Sequence, residues 1–161
     1  MNSVALSALT ASYEVKPRQR VVNTRRVLAV VRWPVGGIRT HVLYNYFDAA
    51  AAGYRFTFVL PGDHSFETFA HSLRDMPDCE FAAAPARGNS CHLAPTVRRM
   101  LRTHNFDLIH SHGLTAASHA AIANIGISVP HITTVHDPLR PEQFQGLHGH
   151  IKRWTMGRVL S

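Results

Sequence analysis

The sequence predicts an α/β fold, a single doubly wound parallel sheet of Rossmann-like type with helices on both faces. Three observations predict it. From Arg26 onward short apolar runs alternate with longer stretches of helical periodicity, the pattern of successive βαβ units. Each helical stretch is followed by Gly, Pro or a polar turn that can stop it. Segments rich in Gly and His recur just after the apolar runs, where an open parallel sheet places its ligand crevice.

Taken in order, residues Met1 to Asn23 are small, polar and basic, without an apolar core of signal-peptide length, so residues 1–24 are expected to form a loose tail before a domain over 25–161. The apolar runs predict strands near Val27–Val31, Arg55–Leu60, Cys79–Ala83, Asp107–Ser111 and His131–His136. The stretches between them predict helices near Ile38–Ala52, Ser65–Asp75, Ala94–Thr103 and Leu114–Ile125. Right-handed crossovers then give the strand order 3-2-1-4-5. A basic amphipathic helix from Leu147 to Leu160 ends the sequence and is expected to await a strand that does not follow. Phe47, Phe56, Phe58 and Leu60 read as core by pattern.

Composition sets the outer limits. With 161 residues and 45% hydrophobic content the chain can build one core, not two full domains. A net charge of +7 favours an anionic partner, such as a phosphorylated ligand or an anionic membrane surface. The basic residues are scattered, with little of the aromatic interleaving that grips single strands, which disfavours nucleic acid. Arg98, Arg99 and Arg102 share a helix face that reads first as solvated. Cys79 and Cys91 have neither metal-ligand nor disulfide-framework spacing, so free thiols in the cytoplasm are expected. No run of about 18 apolar residues could span a bilayer.

The chemistry concentrates after the first strand. Gly36-Gly37 joins an apolar run to a helix start, where unpaired backbone N–H groups and the positive end of the helix dipole meet. Neither glycine carries a Cβ, so a diphosphate could approach the backbone closely, although Gly-Gly also serves as a plain tight turn. Pro61-Gly62-Asp63, His110-Ser-His112-Gly113 and Thr133-Thr-Val-His136-Asp137 fall at the same rim. Asp63 and Ser65 read first as a helix N-cap segment.

These segments, in this order, resemble the N-terminal domain of a GT-B glycosyltransferase of the retaining family 4 type. The resemblance runs from Arg26 to Asp137 and rests on Gly36-Gly37-x-x-x-His41, on Ala52-Gly53-Tyr54-x-Phe56-Thr57-Phe58-Val59, on Phe106-Asp107-Leu108-Ile109-His110-Ser111-His112-Gly113 and on Pro130-His131-Ile132-Thr133-Thr134-Val135-His136-Asp137. It implies a domain that binds a saccharide or lipid-linked acceptor and forms one wall of the cleft holding a nucleotide-sugar donor, in glycan biosynthesis. By the same implication Gly36 and Gly37 approach the donor diphosphate and His136 acts catalytically on the transferred sugar. His112, Asp137 and His41 line the cleft or touch the acceptor, and no metal or other cofactor is expected. The paired glutamates seven residues apart of the donor half have no counterpart among Glu14, Glu67, Glu80 and Glu142. The C-terminal donor domain is therefore expected to be absent, leaving a truncated chain that is inactive alone or is completed by a donor-domain partner in trans.

Two other function classes stay open on the sequence. One is a non-catalytic acceptor- or membrane-binding subunit of a split glycosyltransferase, peripheral to the membrane. The other is a metal-dependent hydrolase using His110 and His112, which would share one face of a strand. His136 also has a structural alternative, as a buried histidine with satisfied partners.

Overall fold

The computed structural model describes residues 24–85, 93–136 and 141–159. Asp137, Cys91 and the tail expected over 1–24, Thr24 excepted, lie outside the described residues. The elements alternate strictly: β1 (Arg25–Val31), α1 (Gly36–Ala51), β2 (Tyr54–Pro61), α2 (His64–Ser72), β3 (Cys79–Ala84), α3 (Leu93–Thr103), β4 (Leu108–His112), α4 (Leu114–Ala123) and β5 (His131–Thr134). A 3-10 turn over Pro141–Phe144 then leads into α5 (Gly146–Val159). The sheet is all parallel with the order β3-β2-β1-β4-β5, as the crossover rule requires.

Alternation along β1 divides the core into two layers. Val27, Ala29 and Val31 face one side and pack with Val42, Tyr46 and Ala50 of α1, Phe69 of α2, and Phe56, Phe58 and Leu60 of β2. Leu28 and Val30 face the other, against Leu93, Val97, Met100 and Leu101 of α3 and Ala116, Ala120 and Ala123 of α4. The alanines of α4 recur at helical spacing and let its backbone settle close to the sheet. Of the residues expected in the core, Phe56, Phe58 and Leu60 are buried, whereas Phe47 is only partly buried against the cluster. Cys79 is a free thiol whose pKa burial, with a smaller push from Glu80, raises to about 12, so it is a poor nucleophile.

Several strand ends differ from the expected bounds by one or two residues, and two of the differences matter for the site. β4 continues to His112, which pairs in register with Val31 of β1 and Thr134 of β5. β5 stops at Thr134, so His136 lies two residues past the strand. The last helix is also not unpartnered: α5 packs on α4 and on the edge strand β5.

Arg98 is a structural cation rather than part of a solvated face. Its Nη1 donates to the Ala123 carbonyl at 2.9 Å and to the Ile125 carbonyl at 3.0 Å, satisfying acceptors at the end of α4. Asp63 is the N-cap of α2, accepting from the Ser65 backbone N–H at 3.0 Å. No helix among the described residues is long and apolar enough to cross a membrane.

Candidate functional site

The strand order reverses between β1 and β4, and in an open parallel sheet the crevice opens at such a point, beyond the carboxyl ends of the strands. The two helices that start there, α1 and α4, have no side-chain N-cap and no acidic residue in the first turn. Gly36 opens α1 with φ +54 and Gly113 precedes α4 with φ +81, conformations that side chains other than glycine's rarely take. A Cβ built on Gly37 would meet nothing within 4 Å. Open space therefore faces the backbone at the loop where an anion is expected from the sequence.

Four histidines gather beside this opening. His110 and His112 share the face of β4 that α1 covers, and His41 projects from the second turn of α1, about 7.5 Å along the helix from its first glycine. The His41 ring centroid lies 5.2 Å from that of His136, 5.5 Å from His112 and 6.5 Å from His110. Asn45 fixes His41 from one turn away, with its Nδ2 3.3 Å from His41 Nδ1 and donating to the His41 carbonyl at 2.7 Å.

Beneath the histidines sits Tyr46, buried at 4% exposure, whose hydroxyl is 2.5 Å from His110 Nδ1 and 2.7 Å from His112 Nε2. The chain of contacts runs on in both directions. His110 Nε2 lies 2.8 Å from Thr134 Oγ1, and His112 Nδ1 lies 3.1 Å from His136 Nε2. A buried tyrosine keeps its hydroxyl partnered, and here two imidazoles supply the partners.

Burial sets the charge state of this network. It pushes the pKa of His112 down to about 2, with His110, His136 and His41 adding repulsion, and that of His110 down to about 4, with His41, His131 and His136 adding. His131 is lowered to about 4 by burial alone, and the Tyr46 phenol is raised by burial. The inner groups are thus neutral hydrogen-bonding groups near neutral pH.

The structure brings together His41, His112 and His136, with Gly36 and Gly37 at the head of the helix that carries His41. His112 is 1% exposed, so it meets the crevice through His136 rather than as a wall residue. His110 and His112 do not converge on an ion, because both rings turn a nitrogen to Tyr46. Among the described residues no group of three or more His, Cys, Asp or Glu is arranged to hold a metal. The hydrolase alternative loses its ligand pair for that reason.

Sequence reasoning missed Tyr46, Thr134 and Arg32. Tyr46 carried a signal in its place on the apolar face of a helix, where a hydroxyl needs a partner. Arg32 follows β1 directly, its guanidinium 3.8 Å from the Trp33 ring centroid and its buried Nε without a hydrogen-bond partner among the described residues. Its charge is felt across the crevice. Asp63 is lowered chiefly by its Ser65 hydrogen bond, with His64 and Arg32 adding, and His119 of α4 is lowered by burial and then by Arg32.

Fold and site define a Rossmann-like α/β domain with a crevice at the switch point of its parallel sheet. The chain belongs to the glycosyl transferase 4-like domain family, whose model matches residues 36–161, from the first glycine of the loop onward. None of the curated proteins matches the chain. Among solved structures it is similar to the C-terminal domain of a hydrogenase from Pyrococcus furiosus, at 14% identity and a TM-score of 0.54, over 70% of this chain and 92% of that one. That likeness concerns the fold alone.

Proposed function

We propose that this domain is the acceptor-side half of a retaining GT-B glycosyltransferase and forms one wall of the cleft in which a sugar passes from a nucleotide-sugar to a saccharide or lipid-linked acceptor. The observation that carries the reading is the juxtaposition at the switch point: an uncapped helix start with open space at Gly37, beside a group of histidines kept largely neutral. A diphosphate leaving group needs backbone donors and positive potential, which the start of α1 supplies and Arg32 reinforces. A sugar needs uncharged polar groups around its hydroxyls, which neutral imidazoles supply. In this reading Gly36 and Gly37 approach the donor diphosphate, His136 contacts the transferred sugar, and His41 and Asp137 border the acceptor.

The family resemblance assigns the rest of the donor grip to a second domain, so in this reading residues 25–161 taken by themselves bind ligand weakly and transfer sugar only together with a donor half. An amide-resolved titration of the chain with a panel of nucleoside diphosphates tests the reading directly. Shifts centred on Gly36, Gly37 and His41 are expected, followed by sugar transfer only when a donor domain is added. Turnover of a nucleotide-sugar by the purified chain alone, or shifts confined to another face, would refute it.

A further inference from the structure

We propose that Arg32 and Trp33 form a subsite for an amphiphilic acceptor, a lipid phosphate whose apolar part lies along the indole while its phosphate oxygens meet the guanidinium. That the ligand is the acceptor rests on the glycosyl-transfer reading. The binding chemistry does not.

Both residues stand on the short loop, Arg32 to Val35, that joins β1 to α1 at the crevice end of the sheet. Pro34 is buried and anchors the loop, while Trp33 and Val35 on either side of it are 56% and 58% exposed. Neither side chain belongs to a core layer, so packing within the domain does not account for them.

Arg32 supplies the charge. Its guanidinium lies 3.8 Å from the Trp33 ring centroid, and such stacking uses the flat face of the group and leaves N–H donors directed outward in its plane. Among the described residues Arg32 has no ion-pair partner, and its Nε has no hydrogen-bond partner. Asp63 feels its charge, yet that carboxylate is engaged in capping α2. A half-buried cation with neither a salt bridge nor a full set of acceptors gains most from an anionic oxygen, and phosphate matches the fork of a guanidinium.

Its placement sets this subsite apart from the glycine loop. Leu28 and Val30 point to the side of the sheet covered by α3 and α4, alternation carries Arg32 to the same side, and His119 of α4 feels its charge. The histidines gather on the other side, with α1. In the glycosyl-transfer reading the start of α1 takes the donor diphosphate, so an anion held by Arg32 belongs to the second substrate. The adjoining indole specifies an apolar group next to that anion: a bare phosphate would leave the ring in water, whereas a lipid covers it.

The experiment is 1H–15N correlation of the full chain, in which the indole N–H signals of Trp33 and Trp154, the two tryptophans of the sequence, report separately and Trp154→Phe assigns them. The probe is dihexanoyl phosphatidate below its micelle threshold, set against inorganic phosphate, which lacks the apolar part, and dihexanoyl phosphatidylcholine, which lacks the net charge. Saturable movement of the Trp33 signal is expected with phosphatidate, with an affinity at least about tenfold above that of either control. Arg32→Gln should weaken phosphatidate binding about tenfold or more. Trp33→Ala, followed on the backbone amides of the loop, should bring phosphatidate down to the level of inorganic phosphate. A Trp33 signal that phosphatidate does not move, or that either control moves with equal affinity, overturns the proposal on the wild-type chain alone. Unchanged phosphatidate binding in folded Arg32→Gln or folded Trp33→Ala overturns it as well. No nucleotide is used, so a failure here leaves the donor side of the glycosyl-transfer reading standing, and missing nucleoside diphosphate shifts at Gly36 and Gly37 leave this subsite standing.

Discussion

Mild acid should unfold this domain sooner than most, and the buried histidines set the size of the effect. His112 keeps a pKa of about 2 in the folded chain, below the ordinary value of 6.5 that it regains on unfolding. Between those values the unfolded chain binds a proton that the folded chain refuses. Stability is therefore complete above 6.5 and falls as the pH drops below it. At about pH 5.5, one unit below the unfolded value, a single such histidine costs about 1.4 kcal/mol. His110 and His131, each lowered to about 4, add in the same direction, discounted for their partial exposure. Together the three should remove roughly 3 kcal/mol between about pH 7.5 and about pH 5.5, a large part of a typical domain's stability. Urea unfolding followed by far-UV circular dichroism at the two pH values measures the difference. His112→Gln should lower stability at neutral pH yet flatten the pH dependence by about 1.4 kcal/mol. Equal stability at the two pH values, or an undiminished acid loss in His112→Gln, would refute the account of a neutral buried cluster.

Other expectations concern single residues. Gly37→Val should leave the melting temperature nearly unchanged, because a Cβ there meets nothing within 4 Å, yet remove nucleoside diphosphate binding in the amide titration; retained binding would clear the loop of that role. His136→Ala should cost no more than about 1 kcal/mol of stability, since its ring is only half-buried, while lowering kcat of the completed enzyme far more than it raises KM. A loss of several kcal/mol on unfolding would move His136 to the structural role. Arg98→Ala should cost roughly 1–3 kcal/mol, because two carbonyls at the end of α4 lose their donor, and an unchanged urea midpoint would contradict that.

The layered sheet was legible because its code is local. Alternation in Val27–Val31 sends side chains to two faces, and helical spacing in Leu114–Ala123 says which residues meet the sheet, so the strand order followed from connection rules alone. The glycine loop was legible for a similar reason, since backbone freedom is a property of the residue. The His110-x-His112 pair was visible as well, along with its common face. Its partner was not: 64 positions separate Tyr46 from His110, and no local pattern relates them.

The sequence by itself determined the fold class, the strand order and the end of the sheet where polar residues collect, because hydrophobic period and glycine placement act over a few residues. Only the tertiary structure decided what those polar residues do to one another. Packing of α1 on β4 buries a phenol between two imidazoles, so His110 and His112 become links in a neutral hydrogen-bond chain instead of metal ligands. Ending β5 at Thr134 leaves His136 beyond the strand, on His112. Burial and hydrogen-bond partners are set by groups far apart in the chain, and they choose among chemistries that one histidine leaves open.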